Sequence, residues 1–80
     1  MENDVEGAPT EAQTLEVQVN GESRTCTTGL TVYRALTHWN LNPRLIAVEY
    51  NGEILHRQFW ETTPVQAGDS FEVVTIVGGG

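Results

Sequence analysis

Eighty residues with a net charge of −7, four arginines and no lysine describe one small acidic domain. A chain of this size has no room for a catalytic cavity lined from several sides, and its charge would repel nucleic-acid phosphates. The lone Cys26 excludes an internal disulfide or a cysteine-based metal cluster and fits a reducing, cytoplasmic setting, while no apolar run reads as a signal peptide or a membrane span.

Residues 1–13 carry Glu2, Asp4, Glu6 and Glu11 with no base and little apolar content. They read as a disordered acidic N-terminal tail. The arginines of an organelle transit peptide are absent from this segment. Residues 14–77 hold the folding pattern. Leu15, Val17 and Val19 alternate with Glu16 and Gln18, as in a half-buried strand. Asn20-Gly21 is a hairpin signal, because both residues tolerate φ > 0. Ser23 to Thr27 reads as the return strand, with Cys26 as a small core hydrophobe; a sulfur-handling role for it is the alternative.

Gly29 breaks that strand, and Thr31 can cap a helix. Val32, Ala35, Leu36 and Trp39 recur at i, i+3, i+4 and i+7, which predicts one buried helical stripe. His38 lies beside the stripe near the helix C-terminus, where the dipole favours a cation. No second ligand stands at metal spacing from it. Asn40 to Pro43 ends the helix.

Leu45 to Tyr50 is a strand with Ile46, Val48 and Tyr50 on one face. Asn51-Gly52 is a second hairpin turn, and Glu53 to Leu55 its short partner. His56 to Trp60 predicts a short helical turn that plugs one end of the core. Pro64 and Gly68-Asp69 mark further turns. Ser70 to Val77 is the last strand and is apolar on both faces, the pattern of a central strand. With Glu72 outward, Val74 and Ile76 share its face, while Phe71, Val73 and Val77 face the helix. Val74 and Ile76 then form an exposed apolar docking patch, unless that face is covered internally.

Residues 78–80 are three glycines. On their own they fit a frayed end. They also make a thin thread without side chains, able to enter a narrow site on another protein, with no Cβ to shield the carbonyl carbon of Gly80. Glu49, Glu53, His56 and Asp69 are scattered among turns without a nucleophile–base pairing, and read as solvated surface. The missing lysines leave no ε-amine for an activated carboxyl to acylate; chance in a short acidic chain explains the absence as well.

Hairpin, helix, strand, short strand and final strand make a ubiquitin-like β-grasp: α+β, with one main helix across a mixed sheet of four to five strands. In that frame Asn42-Pro43-Arg44, the run Ala47 to Ile54, the turn Gly68-Asp69, and Glu72-Val73-Val74 leading into Val77-Gly78-Gly79-Gly80 resemble the sulfur carriers of thiamine biosynthesis, the ThiS family. The likeness covers about residues 15 to 80. The acidic tail departs from the family pattern.

The resemblance implies that the chain is not an enzyme but the protein substrate of partner enzymes. A ubiquitin-activating-like adenylyltransferase, using ATP with Mg, adenylates the carboxylate of Gly80. A cysteine desulfurase persulfide or another sulfur donor converts the adenylate to a thiocarboxylate, and thiazole synthase takes the sulfur. Gly78 and Gly79 thread the tail, and the carrier itself binds no cofactor or metal. A carrier like the small subunit of molybdopterin synthase, a ubiquitin-like protein modifier, and a plain interaction module with inert glycines are the alternatives.

Overall fold

A computed structural model describes residues 13–76. The described residues form β1 (Thr14–Val19), β2 (Glu22–Thr27), α1 (Val32–His38), a 3₁₀ turn (Pro43–Leu45), β3 (Ile46–Tyr50), β4 (Glu53–Ile54), a second 3₁₀ turn (Arg57–Phe59) and β5 (Ser70–Thr75). The five strands make one sheet in the order β2-β1-β5-β3-β4. Strand β5 runs parallel to β1 and antiparallel to β3. This is the mixed sheet and crossing helix of a β-grasp, with the final strand at its centre.

Both Asn-Gly turns form. Asn20 and Gly21 have φ of 53° and 82°, and Asn51 and Gly52 have 52° and 92°. Two successive residues at positive φ match the twist of the strands they join. The asparagine side chains add a second function. Asn20 accepts from the Val73 N–H at 2.7 Å and donates to the Val73 carbonyl at 3.2 Å. Asn51 accepts from the Ser70 N–H at 2.8 Å and donates to Asp69 at 3.2 Å. The two turns therefore clip β5 from both sides, at Ser70 and at Val73, which backbone pairing alone does not complete.

Helix α1 has seven residues, too few to persist alone. Thr31 caps it by accepting from the Arg34 N–H. Asn40 ends it at φ 64°. There the N–H of Asn40 bonds the Thr37 carbonyl and that of Leu41 bonds the Leu36 carbonyl, the paired bonds of a Schellman motif. Packing supplies the rest. Val32, Ala35, Leu36 and Trp39 are buried against Val17, Val19, Cys26, Ile46, Val48 and Phe71 of the sheet. The Phe71 ring stands at the centre, 5.4 Å from the Trp39 ring edge-on and 5.1 Å from Tyr50.

The turn over Arg57–Phe59 seats Trp60 as the expected plug. Trp60 is buried, its indole N–H donates to the Leu55 carbonyl at 2.9 Å, and the Arg57 guanidinium lies 5.1 Å from its ring centre. Three expectations change. Leu45 belongs to the 3₁₀ turn rather than to β3, because Asn42 caps that turn by accepting from the Arg44 N–H and Pro43 supplies the fixed φ. Leu55 lies beyond β4, although its N–H still bonds the Val48 carbonyl. Strand β5 ends at Thr75 rather than Val77, and Val77 lies outside the described residues.

Candidate functional site

The helix covers one face of the sheet and leaves the other open. In β5 the pleat puts Phe71 and Val73 toward the helix and Glu72 and Val74 away from it. Phe71 is fully buried and Val73 half-buried, whereas Val74 is 60% exposed. The N–H of Ile76 bonds the Leu45 carbonyl at 2.6 Å, so the 3₁₀ turn that leads into β3 holds the chain one residue past the end of β5. Ile76 is 45% exposed. The two residues expected to form a docking patch are therefore uncovered among the described residues. Gly78 and Gly79, expected to thread the tail, and Gly80, expected to react, lie outside those residues, as does the acidic N-terminal segment through residue 12.

Register extends the patch. Ala47 of β3 sits directly across from Val74, and Glu49 sits across from both Glu72 and Ile54. Ile54 is 67% exposed, and Leu45 is exposed beside the end of β5. Ala47, Ile54, Val74 and Ile76 make an apolar surface, with a row of two carboxylates at the end away from the chain terminus. Sequence reasoning found Val74 and Ile76 but not Ala47, Leu45 or Ile54. Alternation in Ile46-Ala47-Val48-Glu49 was signal enough for Ala47. Ile54 needed the pairing partner of a two-residue strand.

The remaining polar candidates separate by burial. Glu49, Glu53, His56 and His38 are exposed, as expected of solvated surface. Asp69 is not: it is 7% exposed. Its carboxylate accepts from the Tyr50 hydroxyl at 2.5 Å, the Asn51 amide at 3.2 Å and the Gln66 N–H at 2.7 Å. A carboxylate satisfied by three donors is structural chemistry rather than a poised base. Burial and then the hydrogen bond and charge of Asp69 push the Tyr50 hydroxyl well above its ordinary pKa.

Cys26 is buried in the core. Burial, and secondarily the Asp69 charge, raise its thiol pKa above the ordinary value. A thiol held protonated inside the core is a packing group rather than a nucleophile. Among the described residues no cluster of three metal-ligating side chains occurs, and no helix is long and apolar enough to cross a membrane. Among the described residues the arrangement leaves one sheet face, beside the end of β5, open for binding.

Comparison with known proteins agrees with that geometry. Residues 17–80 match the sequence model of the ThiS family. The crystal structure of the thiamine biosynthesis protein ThiS from Geobacter metallireducens superposes with a TM-score of 0.72 at 32% identity, covering 82% of this chain and all of that one. An uncharacterized protein, ycf40, of Porphyra purpurea is 33% identical over 66 residues, which are 82% of this chain and 93% of that protein. A thiazole synthase of Paramagnetospirillum magneticum is also 33% identical over 66 residues, which make up only 20% of that longer protein. The chain belongs to the ThiS family.

Proposed function

We propose that this chain carries sulfur for thiazole formation in thiamine biosynthesis, with the carboxylate of Gly80 as the carrying group. The observation that supports this most is that the family match runs through residue 80 and so takes in all three terminal glycines. A carboxylate is a poor electrophile. Attack of its oxygen on the α-phosphorus of ATP, with Mg, releases pyrophosphate and gives an acyl-adenylate with a good leaving group. The outer sulfur of a persulfide on a donor fed by a cysteine desulfurase then displaces AMP to give an acyl disulfide. A second thiol cleaves the S–S bond, which releases the thiocarboxylate and leaves a disulfide on the donor side. Thiazole synthase is the acceptor in this reading, supported by the matching segment within a protein named for that activity.

The chain contributes delivery rather than catalysis. Residues 77–80 can reach at most about 14 Å past Ile76, so the partner's site must lie close to the end of β5. Docking on Val74 and Ile76 places a partner there, with Gly78 and Gly79 narrow enough to thread its channel. The adenylyltransferase is the partner assigned to this face.

Intact-mass measurement tests the reading. After incubation with the adenylyltransferase, ATP, Mg and a sulfur donor, the mass should rise by the difference between one sulfur and one oxygen. Deleting Gly80 should abolish the rise. An unchanged mass with partners that are active on another carrier rejects the proposal.

A further inference from the structure

Glu49 and Glu72 face each other directly across the β3–β5 ladder. Both are exposed and both lie on the open face of the sheet. Side chains opposed in this way have Cβ atoms about 5 Å apart, and like charges there destabilise the pair. Among the described residues no arginine relieves them from a neighbouring strand. Arg24 is in β2 and Arg34 in α1, while Arg44 and Arg57 are in the two 3₁₀ turns. Arg57 is engaged with the Pro43 carbonyl and stacked near Trp60. Residues 1–12 and 77–80 contain neither lysine nor arginine.

The row next to the two carboxylates is Ala47 and Val74. The face thus has an apolar surface closed at one end by a double negative charge. Glu72 and Ile76 are four residues apart, or about 14 Å along an extended chain. The acidic row therefore marks the far side of the docking surface from the tail.

We propose that the partner protein docked on this face presents an apolar side chain over Ala47 and Val74 and an arginine that bridges Glu49 and Glu72. This rests on the docking reading above and adds the chemistry of the partner. A guanidinium fits the position better than an ammonium, because its planar fork directs separate N–H groups to two carboxylates. The apolar contact excludes water beside the charges and strengthens the pairing. The bridge also fixes the direction in which the sheet sits on the partner, and so the side on which the tail enters its channel. Charge of this kind sets orientation and encounter rate more than total affinity.

The bridge predicts opposite effects on folding and on binding. Glu49→Gln and Glu72→Gln should each raise the melting temperature of the free protein by about 1–5 °C, since each removes a like-charge contact. Each should weaken binding to the ATP-loaded adenylyltransferase about three- to tenfold at low salt, with the difference shrinking at high salt. Glu22→Gln, which removes an equal charge from β2, should change binding less than about twofold. Val74→Ser removes apolar contact without adding charge and reads the docking surface separately.

Calorimetric binding and melting curves decide the matter. Weaker binding by both glutamine variants, beside an unaffected Glu22→Gln, supports the bridge. If Val74→Ser weakens binding while the glutamine variants bind as wild type, docking stands and the bridge is wrong. If all four variants bind as wild type, the docking face itself is wrong and the bridge falls with it.

Discussion

Asp69 shows what a single residue contributes to this small fold. Its carboxylate gathers the Tyr50 hydroxyl, the Asn51 amide and the Gln66 N–H, joining the β3–β4 turn to the loop before β5. The sequence pattern marks a turn at Gly68-Asp69, and its polar composition suggests solvent. Burial of Asp69 could not be read locally, because Tyr50 lies 19 positions away. The Tyr50 hydroxyl gives a pH test. Its ordinary pKa is 10.0 and the fold raises it. The stability it contributes is fully present below pH 10 and is lost as pH rises through the folded value. Cys26, raised from 9.0, acts in the same direction. Urea unfolding should therefore show stability falling on the alkaline side. Tyr50→Phe should be about 1–2 kcal/mol less stable at neutral pH, with a shallower alkaline decline because Cys26 alone remains. An equally steep decline in the variant would remove Tyr50 from the account.

Among the elements, β5 depends most on distant partners. The strand itself is legible from its two-sided apolar run, and the hairpins from Asn20-Gly21 and Asn51-Gly52. The way the hairpins hold β5 is not legible, since Asn20 and Val73 are 53 residues apart. Local rules explain the asparagines by φ alone, whereas the fold uses φ and side chain together. Asn20→Gly separates the two, because glycine keeps the positive φ and loses both amide bonds. The variant should lose about 1–2 kcal/mol in denaturant unfolding, and hydrogen exchange should quicken at the Val73 amide. Protection at Val73 equal to wild type would show that the side-chain clip carries no weight. The 3₁₀ turn at Pro43–Leu45 escaped the periodicity argument for a related reason. Three residues contain no period, and only the asparagine cap at Asn42 and the fixed φ of Pro43 distinguish the turn from the start of a strand.

At the scale of the whole molecule, folding uses one face of the sheet and the proposed docking uses the other. The helix side holds Phe71, Val48, Val17 and the buried helical stripe. The open side holds Val74, Ile76 and Ile54, large apolar groups whose exposure gives the free protein little. The alternation of β5 made that division readable for Val74, and the structure resolves whether its face is covered internally: it is open among the described residues. The separation predicts a variant that folds and fails to function. Val74→Asp should cost at most about 1 kcal/mol in stability, because the position is exposed and only strand preference is lost. In a docked complex the same carboxylate is buried against an apolar surface with no partner, at a cost of roughly 2–3 kcal/mol after partial solvation. That corresponds to about a 30- to 150-fold fall in kcat/KM for adenylation of the carrier, with circular dichroism and melting near those of wild type. Adenylation at the wild-type rate would mean that no partner covers Val74, and the tail would have to be recognised without the sheet.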